Sequence, residues 1–321
     1  MTAHKDDPSP IGRRDVLKGA TAAAAGTLLA TAALSAQGPQ RPPIIDMHMH
    51  AWPRGEIMNV PVPCMAFPCQ ARPLVYNGKE AVFRGTLAEM DRQNVVLGFL
   101  SGAPESVDEW MKRAPGRFLP SPRIGSFPDI ESLRRDHRSG RFKGMGEITT
   151  QYSGIAPNDP RLDPLFALAE EIDVPVQIHT AGVGDPTSQT FRSALGRPLL
   201  LEDVIVRHRK LRLYFENAGY PYTDEAIALM TQYPQVHADL STITWLIPKT
   251  AFDRHLRGLI EAGLGRQLMF GSDQMEWPET IGFGIERIES ATYLNAEQKR
   301  DIFYNNAARF LRLDASGRLP R

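Results

Sequence analysis

The sequence predicts an α/β fold, a TIM-type (β/α)8 barrel, on three observations. Short segments rich in β-branched and other apolar residues alternate eight times with amphipathic ones, the pattern of parallel strands joined by helices. About 280 residues remain once an N-terminal segment is set aside, a length that suits one barrel. Side chains with ligand chemistry recur at the C-terminal ends of the strand-like segments, where a barrel gathers its reactive groups. An open doubly wound sheet is the alternative, and it fits less well because no Gly-x-Gly-x-x-Gly follows a strand.

Residues 1–38 stand outside the alternation. Arg13-Arg14-Asp15-Val16-Leu17-Lys18 precedes a run over 19–36 of mostly Ala, Thr, Leu and Gly that ends in small residues. Paired arginines before a weakly apolar run read as a twin-arginine export signal, with cleavage near Ala36. A membrane anchor is the other reading, but the run is short for a span and has no stop-transfer flank. The expectation is a periplasmic protein, delivered folded by the twin-arginine export machinery, with residues 39–321 forming the barrel and no stable membrane insertion.

The 37 basic and 37 acidic side chains balance and form no like-charged tail, which argues against nucleic acid or an anionic membrane as partner. Cys64 and Cys69 bracket a short Pro-containing loop. An oxidising compartment permits a disulfide there, while folding in the cytoplasm would leave two thiols.

In chain order, a strand at 44–50 is followed by a Pro- and Gly-rich connection to residue 78 and a helix at 79–92. Strands are then expected at 95–100, 118–124, 142–148, 175–180, 211–216, 236–240 and 267–270. Helices are expected between them at 107–113, 130–138, 165–172, 199–208, 224–232 and 249–262, with further helices to the end.

The first strand carries the sharpest signal. In Ile44-Ile45-Asp46-Met47-His48-Met49-His50 the two histidines alternate, so they share a face and could offer two nitrogens to one divalent ion. Asp46 has the same parity. The fourth strand ends at Glu147, the fifth at His179, the sixth at Glu216-Asn217, and the eighth runs into Gly271-Ser272-Asp273. His237 and Asp239 share parity on the seventh. Glu147 can equally be a strand-end charge paired with an arginine, and His237 a buried, hydrogen-bonded histidine. His137, His208 and His255 lie in charged helical segments and read as surface residues. Trp52, Trp245 and Trp277 either line a pocket or pack on the rim, and Arg54, Arg72 and Arg192 either meet a substrate carboxylate or solvate loops.

The segments Ile45-Asp46-Met47-His48-Met49-His50, Val174-Pro175-Val176-Gln177-Ile178-His179 and Leu268-Met269-Phe270-Gly271-Ser272-Asp273 resemble the amidohydrolase superfamily, in particular its amidohydrolase-2 branch. The closing Tyr304-Asn305-Asn306-Ala307-Ala308-Arg309-Phe310-Leu311 is similar to that branch's C-terminal helix. The resemblance implies a divalent metal on His48, His50, His179 and Asp273, with Glu147 where some members place a further or bridging carboxylate. Zinc is the expected ion, and the same donors accept Mn, Fe or Co. The sequence departs at the sixth strand, where Asn217-Ala218-Gly219 stands in place of the usual His-x-Gly. Asparagine cannot relay a proton as imidazole does, although its amide can donate to a substrate oxygen. Glu216 or His237 would then take the missing role.

The implied chemistry is hydrolysis of an amide, lactone or ester-like bond of a small molecule. The metal would lower the pKa of a water from about 15.7 toward about 7, and Asp273 would accept its proton. Decarboxylation of a small carboxylic acid is the rival reaction, and a non-catalytic barrel the rival class. A homodimer is compatible with this reading, and specificity is assigned to the long βα loops, which hold no diagnostic motif.

Overall fold

The computed structural model describes residues 41–51, 61–62, 74–75, 78–182, 188–315 and 317. Trp52, Arg54, Cys64, Cys69, Arg72 and the export signal with Arg13 and Arg14 lie outside the described residues.

Among the described residues, eight parallel strands form the frame: β1 (Ile44–Ala51), β2 (Val95–Gly102), β3 (Phe118–Pro122), β4 (Met145–Ile148), β5 (Val176–Ile178), β6 (Leu213–Phe215), β7 (His237–Asp239) and β8 (Leu268–Met269). The helices that carry the chain back between them include α1 (Lys79–Gln93), α2 (Pro104–Arg113), α3 (Ile130–Arg138), α4 (Asp163–Glu171), α5 (Glu202–Arg207) and α6 (Thr223–Gln232). A short α7 (Ile243–Leu246) and the longer α8 (Lys249–Glu261) join β7 to β8. The chain ends through α9 (Glu279–Glu289), α10 (Ala296–Arg300), a π-turn (Asp301–Asn305) and α11 (Asn306–Leu311). Strands β4 to β8 are shorter than the apolar runs that predict them, because pairing persists only where neighbouring strands overlap.

The strands pair in order, β1-β2-β3 and β4-β5-β6-β7-β8. Two seams join these sheets. At one, Ile124 N donates to Glu147 O at 2.8 Å and Thr149 N to Ile124 O at 2.8 Å. At the other, Met47 N donates to Phe270 O at 2.8 Å, Asp273 N to His48 O at 2.9 Å and His50 N to Gln274 O at 2.9 Å. The ring is thereby closed, and the barrel expected from the sequence is the fold observed.

Two apolar layers hold it. Between strands and helices lies the larger one, which includes Ile44, Met49, Phe166 and Phe252. Inside the ring, Ile45, Met47, Phe99, Leu119, Tyr214 and Met269 pack on Phe310 and Leu311 of α11. Tyr214 stacks edge-on against Phe99 and Phe310, with ring centroids 5.7 and 5.4 Å away, and donates its hydroxyl to Met47 O at 2.7 Å. Such aromatic contacts fill a barrel end without leaving voids.

Two sequence expectations for histidines change here, and His237 takes the hydrogen-bonded one of its two readings. His208 and His255 are buried, because each reaches a polar partner across a helix packing seam. His208 meets Asp163 at 3.0 Å. His237 sits at the N-terminal start of β7, hydrogen-bonded to Gln235 O at 3.0 Å and against Phe310 at 4.9 Å. It therefore belongs to the closed end of the barrel and not to the end that carries the other candidates.

His255 on α8 donates through Nε2 to Ala218 O at 3.1 Å and accepts at Nδ1 from Thr223 Oγ1 at 2.7 Å, with Tyr220 edge-on to its ring. Burial pushes its pKa down to about 4, against a smaller opposing effect of the Ala218 hydrogen bond. The folded state thus takes up its proton at lower pH than the unfolded chain does, near about 6.5. Stability is complete above that value and falls as pH drops toward about 4. The expected loss from this residue at pH 4.5 is on the order of 2 kcal/mol. Urea denaturation of wild type and His255→Gln at pH 7.5 and 4.5 should show a smaller pH-dependent loss in the variant, and equal losses would refute the assignment.

Candidate metal centre

The C-terminal ends of β1, β4, β5, β6 and β8 place six ionisable side chains together. His48, His50, Glu147, His179, Glu216 and Asp273 are all buried. His48 Nε2 and His50 Nε2 lie 3.1 Å apart. Asp273 Oδ1 is 2.9 Å from His50 Nε2 and 3.4 Å from His48 Nε2. Glu147 Oε2 stands 3.8 Å from His50 Nε2. On the other side, His179 Nδ1 is 3.0 Å from Glu216 Oε2 and 3.4 Å from Glu147 Oε1. Glu216 Oε2 is also 3.7 Å from His48 Nε2, so the two groups of donors are continuous.

Local backbone features aim these groups. The β1–β2 register shifts between Asp46 and Met49, a bulge of the kind that re-aims side chains. Ile45 and Met47 pack inside the ring and Met49 outside, so a plain alternation breaks between them. Asp46 is not among the clustered donors: its Oδ1 accepts from Ser272 N at 2.9 Å and His48 N at 3.1 Å, which ties β1 to the β8 loop. Burial raises its pKa to about 7. Asp273, Asn217 and Ala218 adopt positive φ of 50°, 57° and 43°, uncommon for residues other than glycine and frequent at functional sites.

The electrostatics are those of a pocket that wants positive charge. For His48, burial lowers the pKa, yet Glu216, Asp273 and Asp239 overcome it and raise it well above the usual imidazole value. His179 behaves likewise, rising to about 9 because Glu147 and Glu216 outweigh burial. Burial also opposes ionisation of Glu147 and Asp273, but imidazoles prevail; Asp273 falls to about 2. Burial, with Glu147 second, raises Glu216 to about 8. Such mutual perturbation marks a site whose donors suit a cation.

The donor set fits a divalent ion. His48, His50 and Glu147 form one group able to hold it, and Glu147, His179 and Glu216 a second. Glu216 Oε1 and His179 Nε2 are buried without a hydrogen-bond partner. Nδ1 of His48 meets Ser241 Oγ at 2.7 Å and Nδ1 of His50 meets Ser101 Oγ at 3.1 Å, leaving both Nε2 atoms toward the donors. Glu147 also lies 3.5 Å from Arg123, so it pairs with an arginine while standing among the donors.

Asn217 is placed differently from the sequence expectation. Its Nδ2 donates to Thr180 O at 3.1 Å, and its backbone N donates to Asp239 Oδ1 at 3.0 Å. The amide is thus engaged with the main chain, and Glu216 is the sixth-strand residue that faces the histidines. Trp245 donates Nε1 to Ser272 O at 2.7 Å and stacks on Trp277 at 6.2 Å, which makes it a brace for the β8 loop. Arg192 donates to the Gln189 and Phe191 carbonyls. Sequence reasoning missed Ser101, Ser241, Thr242 and Tyr152. Ser101 ends β2 and Ser241-Thr242 follow β7, the same strand-end rule that located the ligands. Thr242 Oγ1 donates to Asp273 Oδ2, and the Tyr152 ring lies 5.2 Å from that of His179.

The amidohydrolase-2 family model, described as Amidohydrolase, matches residues 45–313. The chain belongs to this family. Among similar proteins, Protein fluG of Emericella nidulans is 30% identical over 117 residues, a match spanning 36% of this chain and 13% of the fluG chain. A probable 2-pyrone-4,6-dicarboxylic acid hydrolase from Acinetobacter baumannii, crystallised with citric acid, superposes with TM-score 0.56 at 13% identity, covering 83% of this chain and 98% of that one. A 5-carboxyvanillate decarboxylase from Sphingomonas paucimobilis gives TM-score 0.54 at 16% identity, with 85% and 99% coverage. These two likenesses carry the fold. No helix among the described residues is long and apolar enough to cross a membrane.

Gly271 leaves no room beside this cluster. A Cβ there would lie 2.9 Å from His48 Cβ and 3.0 Å from Ser241 Oγ. Gly271→Ala should therefore cost about 1 to 3 kcal/mol by overpacking. Denaturant midpoints measure it, and a change within about 0.5 kcal/mol would show that the neighbours yield freely.

Proposed function

We propose that this chain is a metal-dependent hydrolase of a small molecule carrying an amide, lactone or ester-like bond. The observation that carries the reading is one buried cluster of three histidines and three carboxylates at the strand ends of a family barrel. His48, His50, Asp273 and Glu147 would hold one divalent ion, with His179 and Glu216 completing the set toward β5 and β6. Zinc suits these nitrogen and oxygen donors, as do Mn, Fe and Co. When bound, the ion supplies Lewis acidity toward a carbonyl oxygen and acidifies water.

The protein's own groups do the rest. Ser101 and Ser241 fix the two β1 imidazoles with their Nε2 atoms toward the centre. Asp273 is held ionised, and Thr242 steadies its Oδ2, so Oδ1 can take a proton from the attacking water and return it to the leaving group. Glu216, close to His179 and His48, directly precedes Asn217, which stands where the family usually has a histidine, and it is the second proton carrier in this reading. Decarboxylation of a small carboxylic acid uses the same frame, as the similarity to a decarboxylase structure suggests, and becomes one outcome of the substrate test.

The test is elemental analysis followed by turnover of lactones, amides and aromatic acids with ion-loaded protein. About one ion or more per chain is expected, falling sharply in His48→Ala/His50→Ala. Asp273→Asn should abolish turnover, and its ion content must be read alongside. A variant that keeps both ion and most of its rate excludes Asp273 as the base; full activity in ion-free wild type defeats the proposal.

We also propose that residues 1–38 direct twin-arginine export to the periplasm, on the strength of Arg13-Arg14 and the weakly apolar run after them. A reporter fused to residues 1–40 should reach the periplasm and be retained in the cytoplasm by Arg13→Lys/Arg14→Lys. Undiminished export of the double variant is the contrary result.

A further inference from the structure

Asp239 touches none of the clustered donor atoms as a ligand would, yet three hydrogen bonds converge on it. Its Oδ1 accepts from Asn217 N at 3.0 Å, from Ser241 N at 3.2 Å and from the Ser241 hydroxyl. Its Oδ2 stands 3.5 Å from His48 Nδ1. Asp239 and Ser241 are both fully buried, so water does not compete for these bonds.

The direction of each bond follows from counting hydrogens. Asp239 Oδ1 already accepts two backbone N–H groups, so it is an acceptor, and the single Ser241 hydroxyl hydrogen must point to it. Ser241 Oγ is then the acceptor toward His48, and the hydrogen between them sits on Nδ1. Nε2 is the nitrogen left to exchange its proton for a cation, 3.1 Å from His50 Nε2 and 3.4 Å from Asp273 Oδ1. The same carboxylate holds the backbone of Asn217 in its left-handed conformation, immediately after Glu216. One buried group therefore fixes both the β1 histidine and the β6 turn that presents Glu216.

We propose that Asp239, acting through Ser241, is the positioning residue that makes His48 an Nε2 ligand and couples it to the β6 side of the centre. The inference rests on the metal-holding reading above. Gly271 supports it sterically: a Cβ at that position would come within 3.3 Å of Asp239 Cγ as well as against Ser241 and His48, so the three groups have one arrangement.

The experiment is chelator competition with Zn(II) and Co(II) on the full protein, paired with thermal unfolding of the ion-free form. Ser241→Ala should weaken ion affinity by about 10- to 100-fold, the usual effect of losing a group that orients a ligand histidine. Ser241→Thr keeps the hydroxyl and should bind within about threefold of wild type, a small share of that effect. Asp239→Asn places an amide against the His48 N–H and should weaken binding at least as much as Ser241→Ala. A merely structural role would lower the melting temperature of the ion-free protein while leaving affinity unchanged. Ser241→Cys, close in volume and a poor hydrogen-bonding partner, carries the same expectation as alanine if that variant does not fold. Affinity of the Ala or Cys variant within about twofold of wild type, or equal to that of Thr, overturns the proposal, since the loss expected on removing a ligand-orienting partner would be missing. Wild type that takes up no ion would instead defeat the metal reading itself, so the two failures are distinct.

Discussion

The seam between β1 and the segment after β8 is the constraint on which the centre depends. Backbone hydrogen bonds from Met47 to Phe270, Asp273 to His48 and His50 to Gln274 bring residues more than two hundred positions apart into one register. Asp46 adds a side-chain clasp to Ser272 N. Without that seam His48 and His50 would have each other but not Asp273, and an ion would have two nitrogens and no charge from the far end of the chain. The register itself comes from ring closure, which fixes each strand by both neighbours at once.

Holding so many ionisable groups away from water is costly unless they neutralise one another. Here His48 and His179 are each pulled up in pKa by the carboxylates around them, while Glu147 and Asp273 are pulled down. The hydroxyls of Ser101, Ser241 and Thr242 satisfy the outward atoms. The arrangement is self-consistent as a protonated network and equally able to exchange protons for a cation, as metal-binding residues do.

The frame is legible in the sequence because a strand–helix alternation and strand-end chemistry are both local patterns. His48, His50, Glu147, His179 and Asp273 each emerge from asking which residue ends a strand. The same question points to Glu216 and Asn217 together, and only the backbone decides between them: the positive φ of Asn217 turns its amide to Thr180 O. His237 and Asp239 share parity, but on a strand of three residues one lies at the closed end and one at the open end, a difference parity does not carry. Asp46 departs from its expected place because the β1 bulge interrupts the period of two. His208 and His255 read as surface groups because helix sequences do not reveal which face meets a second helix. The connections after β1 and β5, to which the sequence assigns specificity, have no period of two or 3.6 to read.

Phe310 and Tyr214, with Ile45, Met47, Phe99, Leu119 and Met269, fill the N-terminal half of the ring. Among the described residues, that end of the barrel is filled by side chains and offers no passage. Approach to the histidines is left, among the described residues, to the C-terminal ends of the strands, the face a barrel uses for its chemistry. A product fragment held by an ion at that end would block the next molecule by occupancy alone, and its release, not bond-breaking, would then set the turnover rate.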